Sequence, residues 1–68
     1  MQLQINGTTQ EFELQDPTLS AVLESMALGP VRGIAVAVND RVIPRGQWDD
    51  VVLQQNDRIE IIRATQGG

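Results

Sequence analysis

The chain begins with a hydrophobic period of two. Leu3 and Ile5 alternate with Gln2, Gln4 and Asn6, as in a strand with one buried face. Asn6-Gly7 follows, a pair suited to a type I′ hairpin turn because both central residues of that turn need positive φ. Thr9 to Leu14 alternates again with Phe12 and Leu14 on one side, so residues 2–14 are predicted to form a β-hairpin. The period then lengthens to that of a helix. Leu19, Val22, Leu23 and Met26 fall on one apolar stripe. Asp16-Pro17-Thr18 offers a capping side chain and a proline near the start. Gly29-Pro30 offers a residue free to turn left-handed and one that cannot continue, which predicts a helix over 18–28.

Beyond the helix, Ile34-Ala35-Val36-Ala37-Val38 reads as a short buried strand. Large residues alternate with alanine, so one face is expected to meet bulky neighbours and the other something close. Asn39-Asp40 is a turn, and Arg41-Val42-Ile43 a short strand that Pro44 must end or hold at a sheet edge, since proline has no N–H for a ladder. Arg45 to Leu53 reads as a connection with a helical turn, anchored by Trp48 and by Val51 or Leu53. After a turn at Gln55-Asn56-Asp57, Arg58 to Ile62 is the last strand, with Ile59 and Ile61 inward and Ile62 on the opposite face.

The order is β-β-α-β-β-β with a small insert. A helix that follows a hairpin crosses the sheet and covers one face. The predicted class is therefore α+β: a small mixed sheet with one main helix packed on one face, the ubiquitin-like β-grasp arrangement. Residues 1–62 are expected to form the domain. Residues 63–68, Arg-Ala-Thr-Gln-Gly-Gly, carry no packing period and are expected to form a flexible tail.

Composition narrows the chemistry. The chain of 68 residues is 41% apolar and holds one small domain with a thin core. It contains no Cys, His, Lys or Tyr, which removes thiolate metal sites, the commonest general base, the Schiff-base amine and the phenolic acid. A self-sufficient enzyme is not expected. Nine acids against five arginines give a net charge of −4, unlike the concentrated basic face that nucleic acid needs. No apolar run approaches the roughly 20 residues of a membrane span, and no signal peptide is visible, so a cytoplasmic protein is expected. Asp49, Asp50 and Asp57 sit beside turns without calcium-loop spacing, and a solvated role is the expectation for them rather than metal binding.

Gly67-Gly68 fits no packing rule. It reads either as a frayed end or as a working group. Two adjacent residues without Cβ can enter a tunnel too narrow for side chains, which would present the α-carboxylate of Gly68 to a nucleotide phosphate. A carboxylate is a poor electrophile until a partner converts it to an acyl-adenylate, after which a sulfur nucleophile can displace AMP. No residue here performs that chemistry, so the domain would be a group carrier.

Asn39-Asp40-Arg41-Val42-Ile43-Pro44-Arg45-Gly46-Gln47-Trp48 resembles the N-x-x-[IV]-[IV]-P-R-x-x-W stretch of ThiS, the sulfur carrier proteins of bacterial thiamine biosynthesis. The length and the terminal Gly67-Gly68 match as well. The resemblance implies that Gly68 is adenylated by an E1-like enzyme, ThiF, converted to a thiocarboxylate with sulfur from a donor enzyme, and used by thiazole synthase, ThiG, to build the thiamine thiazole. It implies no bound cofactor, ATP and the sulfur donor being used by the partners, with neither nucleic acid nor membrane as a partner. Gly67, Gln66, Arg63, Ile62 and Arg45 are the candidate partner contacts. Other readings stay open: the small subunit of molybdopterin synthase, a ubiquitin-like protein modifier, and a plain binding module with an incidental tail.

Overall fold

A computed structural model of the chain describes residues 1–28 and 33–63. Its elements are β1 (Gln2–Ile5), β2 (Thr8–Glu11), α1 (Leu19–Ser25), β3 (Ile34–Val38), β4 (Arg41–Ile43), a 3-10 helix (Arg45–Asp50) and β5 (Arg58–Arg63). The sheet has five strands in the order β2-β1-β5-β3-β4. Among the described residues β1 and β5 pair in parallel, and the other neighbours are antiparallel. This is the expected mixed sheet with one helix across it, the β-grasp fold. Among the described residues no helix is long and apolar enough to cross a membrane.

The hairpin turns where the sequence places it. Asn6 and Gly7 take φ values of 50° and 85°, as a type I′ turn requires. The second strand stops at Glu11, earlier than the alternation suggests. Phe12 still points inward and is buried, and its N–H donates to the Met1 carbonyl at 2.7 Å. The core gathers Leu3, Ile5, Leu19, Val22, Val36 and Ile59 between sheet and helix, with Trp48 and Leu53 closing one side. Trp48 is buried, and its indole N–H donates to the Ile43 carbonyl at 2.9 Å, which fixes the corner at Pro44.

The helix begins as its sequence dictates. The Thr18 hydroxyl accepts from the Ala21 N–H at 3.1 Å. The Leu19 N–H donates to Val51 and the Leu53 N–H to Pro17, both at 2.8 Å, which clips the helix start to the segment after the 3-10 helix. The helix ends sooner than expected, at Ser25 with Met26 as its cap. The left-handed residue that follows is Ala27, at φ 53°, whereas the expected stop, Gly29-Pro30, lies outside the described residues. A Cβ in that conformation costs about 1 kcal/mol. Replacing Ala27 with glycine is therefore expected to raise stability by about 0.5–1 kcal/mol in a denaturant titration. A lower stability for Ala27→Gly would contradict the geometry of this helix end.

The alanines of β3 do not meet a covering layer. Val36 and Val38 are buried under the helix, but Ala35 is exposed and Ala37 half-buried on the other side of the sheet. The close neighbour expected from their size is absent among the described residues. Arg63 also departs from its expected place. It is the last residue of β5, paired with Ile34, rather than the first of a tail.

Candidate functional site

The candidate residues Ile62 and Arg63 close β5, and Gly68 follows them in sequence. Alternation along β5 sends Ile59 and Ile61 toward the helix and Arg58, Glu60 and Ile62 to the uncovered face. Ile62 is 61% exposed, as its position in the alternation predicts. Register then groups it with others. Ile62 stands opposite Ala35, and Ala37 stands opposite Val42, itself 69% exposed. Directly opposed residues lie roughly 5 Å apart at Cβ, so the uncovered face carries two branched apolar side chains beside a floor of two alanines, with the Glu60 carboxylate opposite Ala37.

The arginines lie elsewhere. Arg63 reaches to the helix layer, where its guanidinium donates to the Leu28 carbonyl at 3.2 Å. Arg45, exposed at the start of the 3-10 helix, lines a groove beside α1 together with Leu23, Leu28 and Trp48. Leu28 thus adjoins both arginines, and they serve the helix side of the domain while Ile62 serves the opposite face. Arg58, on the same face as Ile62, pairs with Asp40 at 3.2 Å in an exposed contact of little energetic weight. The candidate contacts therefore divide between two faces that meet at the end of β5. Gln66, Gly67 and Gly68 lie outside the described residues.

The polar side chains of the turns are occupied with the fold. Asp57 accepts from the Asn39 amide at 3.0 Å and from the Gln54 N–H at 2.8 Å, which locks two turns together. Among the described residues no three acidic side chains gather as a metal site. The groups around the outer half of β5 are Glu60, Ile62 and Arg63, with Ala35, Ala37 and Val42 beside them. Glu60 is the one carboxylate among these groups and it is exposed.

Two features escape a reading of the sequence. Val42 and the alanines join Ile62 only through the register of three strands, which no local pattern reveals. Asn6 reads as a turn former, yet its side chain bonds to β5 across 55 positions of sequence.

Comparison with known proteins agrees with this geometry. The model of the ThiS family matches residues 3–68. A crystal structure of the thiamine biosynthesis protein ThiS from Geobacter metallireducens superposes with a TM-score of 0.86 at 20% identity, covering 100% of both chains. A solution structure of a thiamine biosynthesis protein from the same organism gives 0.80 at 20% identity, covering 100% of this chain and 88% of that one. At this identity the two structures speak for the fold. The chain is also 34% identical, over all 68 residues, to a thiazole synthase from Magnetococcus marinus, of which it spans 20%.

Proposed function

The chain belongs to the ThiS family, and from that membership we propose that it is a sulfur carrier for thiamine thiazole formation, a co-substrate of its partners rather than an enzyme. The observation that carries the reading is the family match running through to Gly68, on a chain that lacks His, Cys, Lys and Tyr. The domain holds the recognition surface, and the segment after β5 carries the reacting carboxylate.

A carboxylate oxygen of Gly68 attacks the α-phosphorus of ATP on a ThiF-like adenylating enzyme, which forms an acyl-adenylate and releases pyrophosphate. Hydrosulfide supplied by a donor enzyme then attacks the Gly68 carbonyl carbon, AMP departs with the electron pair of the broken C–O bond, and the S–H proton is lost to water. The resulting thiocarboxylate gives its sulfur to thiazole synthase. ATP, metal and acid–base groups belong to the partners, so the chain needs no cofactor of its own, and the reaction is set in the cytoplasm. Gln66 and Gly67 enter the partner's channel with Gly68. Similarity of the whole chain to one fifth of a thiazole synthase supports that enzyme class as the acceptor of the sulfur.

Ile62, with Val42 and the alanine floor, is the docking surface in this reading, while Arg45 and Arg63 meet acidic groups of a partner on the helix side. Ile62→Asp is expected to weaken association with the adenylating enzyme about tenfold or more, because it sets an unpaired charge in an apolar contact. Its stability should change by about 1 kcal/mol or less, since the native side chain is mostly in water. Unchanged affinity in a titration would remove Ile62 from the interface.

The function is tested by reconstitution with an adenylating enzyme, ATP, a sulfur source and thiazole synthase. Thiazole formation that depends on the chain is the expected result. Formation of molybdopterin with a large synthase subunit would assign it to that pathway instead, and a ladder of heavier conjugates would make it a protein modifier.

A further inference from the structure

The turn between β1 and β2 makes a contact that a turn does not need. Positive φ at Asn6 carries the chain away from the sheet, so main-chain pairing of β1 with β5 stops at Ile5 and Ile59. The strand β5 runs on to Arg63, with β3 as its partner on the other side. At Ile61 the missing peptide group is replaced by a side chain. The Asn6 carboxamide oxygen accepts from the Ile61 N–H at 2.8 Å, and its NH2 donates to the Ile61 carbonyl at 3.3 Å. The Asn6 main-chain N–H adds a third bond, to the Ile59 carbonyl at 2.9 Å.

A carboxamide is suited to this task because it carries a donor and an acceptor side by side, as a peptide group does. A carboxylate would accept from the N–H but set a negative charge against the carbonyl. Asparagine also tolerates the left-handed backbone that the hairpin requires. One residue thus closes the hairpin and extends the ladder.

We propose that Asn6 is a positioning residue for carrier function: by pinning Ile61 it holds the last residues of β5, Ile61 to Arg63, in a fixed place relative to Ile62 on the docking face. The inference rests on the sulfur-carrier reading and adds to it a device that couples docking to delivery. Ile61 lies two residues before the end of β5 and immediately before Ile62, so freeing it loosens the end of β5 without touching the apolar side chains that dock.

The test compares Asn6→Gly, which keeps the turn's backbone freedom and removes the carboxamide, with Asn6→Asp, which keeps only the acceptor. Amide exchange and steady-state adenylation by the partner enzyme are measured on both and on the unaltered chain. Asn6→Gly is expected to speed Ile61 exchange about tenfold or more. It is also expected to lower kcat about tenfold or more with KM little changed, since misdirected delivery costs rate while docking stays intact. Asn6→Asp should fall between the two in both readouts. Full kcat in Asn6→Gly, or Ile61 exchange as slow as in the unaltered chain, overturns the inference and leaves the carrier reading standing. If the unaltered chain itself is not adenylated, the carrier reading fails and this inference fails with it.

Discussion

A chain lacking Gly68 is expected to fold as the full chain does and to accept no sulfur. Shortening by one residue moves the terminal carboxylate back by about 3.5 Å, far outside the tolerance of a site that must align it with the α-phosphorus of ATP. Misplacement of even 1 Å costs roughly a hundredfold in rate, so the loss should exceed that. Stability should not follow. Among the described residues, every buried residue of the core lies between Leu3 and Ile59, well before Gly68 in sequence. Thermal melting of the truncated chain is therefore expected to match the original. Undiminished sulfur loading after removal of Gly68 would mean that the reacting group lies elsewhere in the molecule.

Ile59→Ala is expected to do the reverse and threaten the fold itself. Ile59 is 1% exposed and sits at the middle of the sheet, paired with Ile5 on one side and Val38 on the other. Truncating a buried isoleucine to alanine costs about 2–5 kcal/mol through lost burial and a residual cavity. A domain of this length has a total stability of about 3–10 kcal/mol, so the variant should be partly unfolded at physiological temperature. The denaturant midpoint measures it. A loss below about 1 kcal/mol would contradict the placement of Ile59 at the centre of the core. The contrast with Ile62→Asp is instructive, because the two isoleucines are three residues apart in one strand. One faces the helix and holds the domain together, and the other faces outward into solvent.

Most of this architecture is legible in the sequence because the patterns that specify it are local. Asn6-Gly7 demands its turn, the stripe of Leu19, Val22, Leu23 and Met26 demands its helix, and alternation in β5 separates Ile59 and Ile61 from Ile62. The end of α1 is harder to read, because Ala27 adopts a left-handed conformation that its chemistry disfavours. Ala35 and Ala37 mislead in another way. Small side chains on a strand suggest a close neighbour, but the described residues place none over them, and their size instead leaves a floor between Ile62 and Val42. Arg63 is misread because the packing period fades while the pairing with Ile34 continues, and hydrogen bonding in a ladder does not depend on side-chain type. The role of Asn6 is invisible in sequence for the same reason that Val42 is. Both depend on a long-range register that exists only once the sheet has formed. At the site, the residue types and the Pro44-Arg45 and Trp48 stretch lead to the family, whereas the division of Ile62 and the arginines between two faces needs the fold.

Mass spectrometry of the C-terminal peptide tests the central claim most directly, after the chain has been incubated with ATP, the adenylating enzyme and a sulfur source. The account predicts a fraction of peptide in which one oxygen at Gly68 has been replaced by sulfur, formed only when ATP is present. A peptide that stays unmodified under conditions where the partner enzyme is active on its own carrier would contradict it.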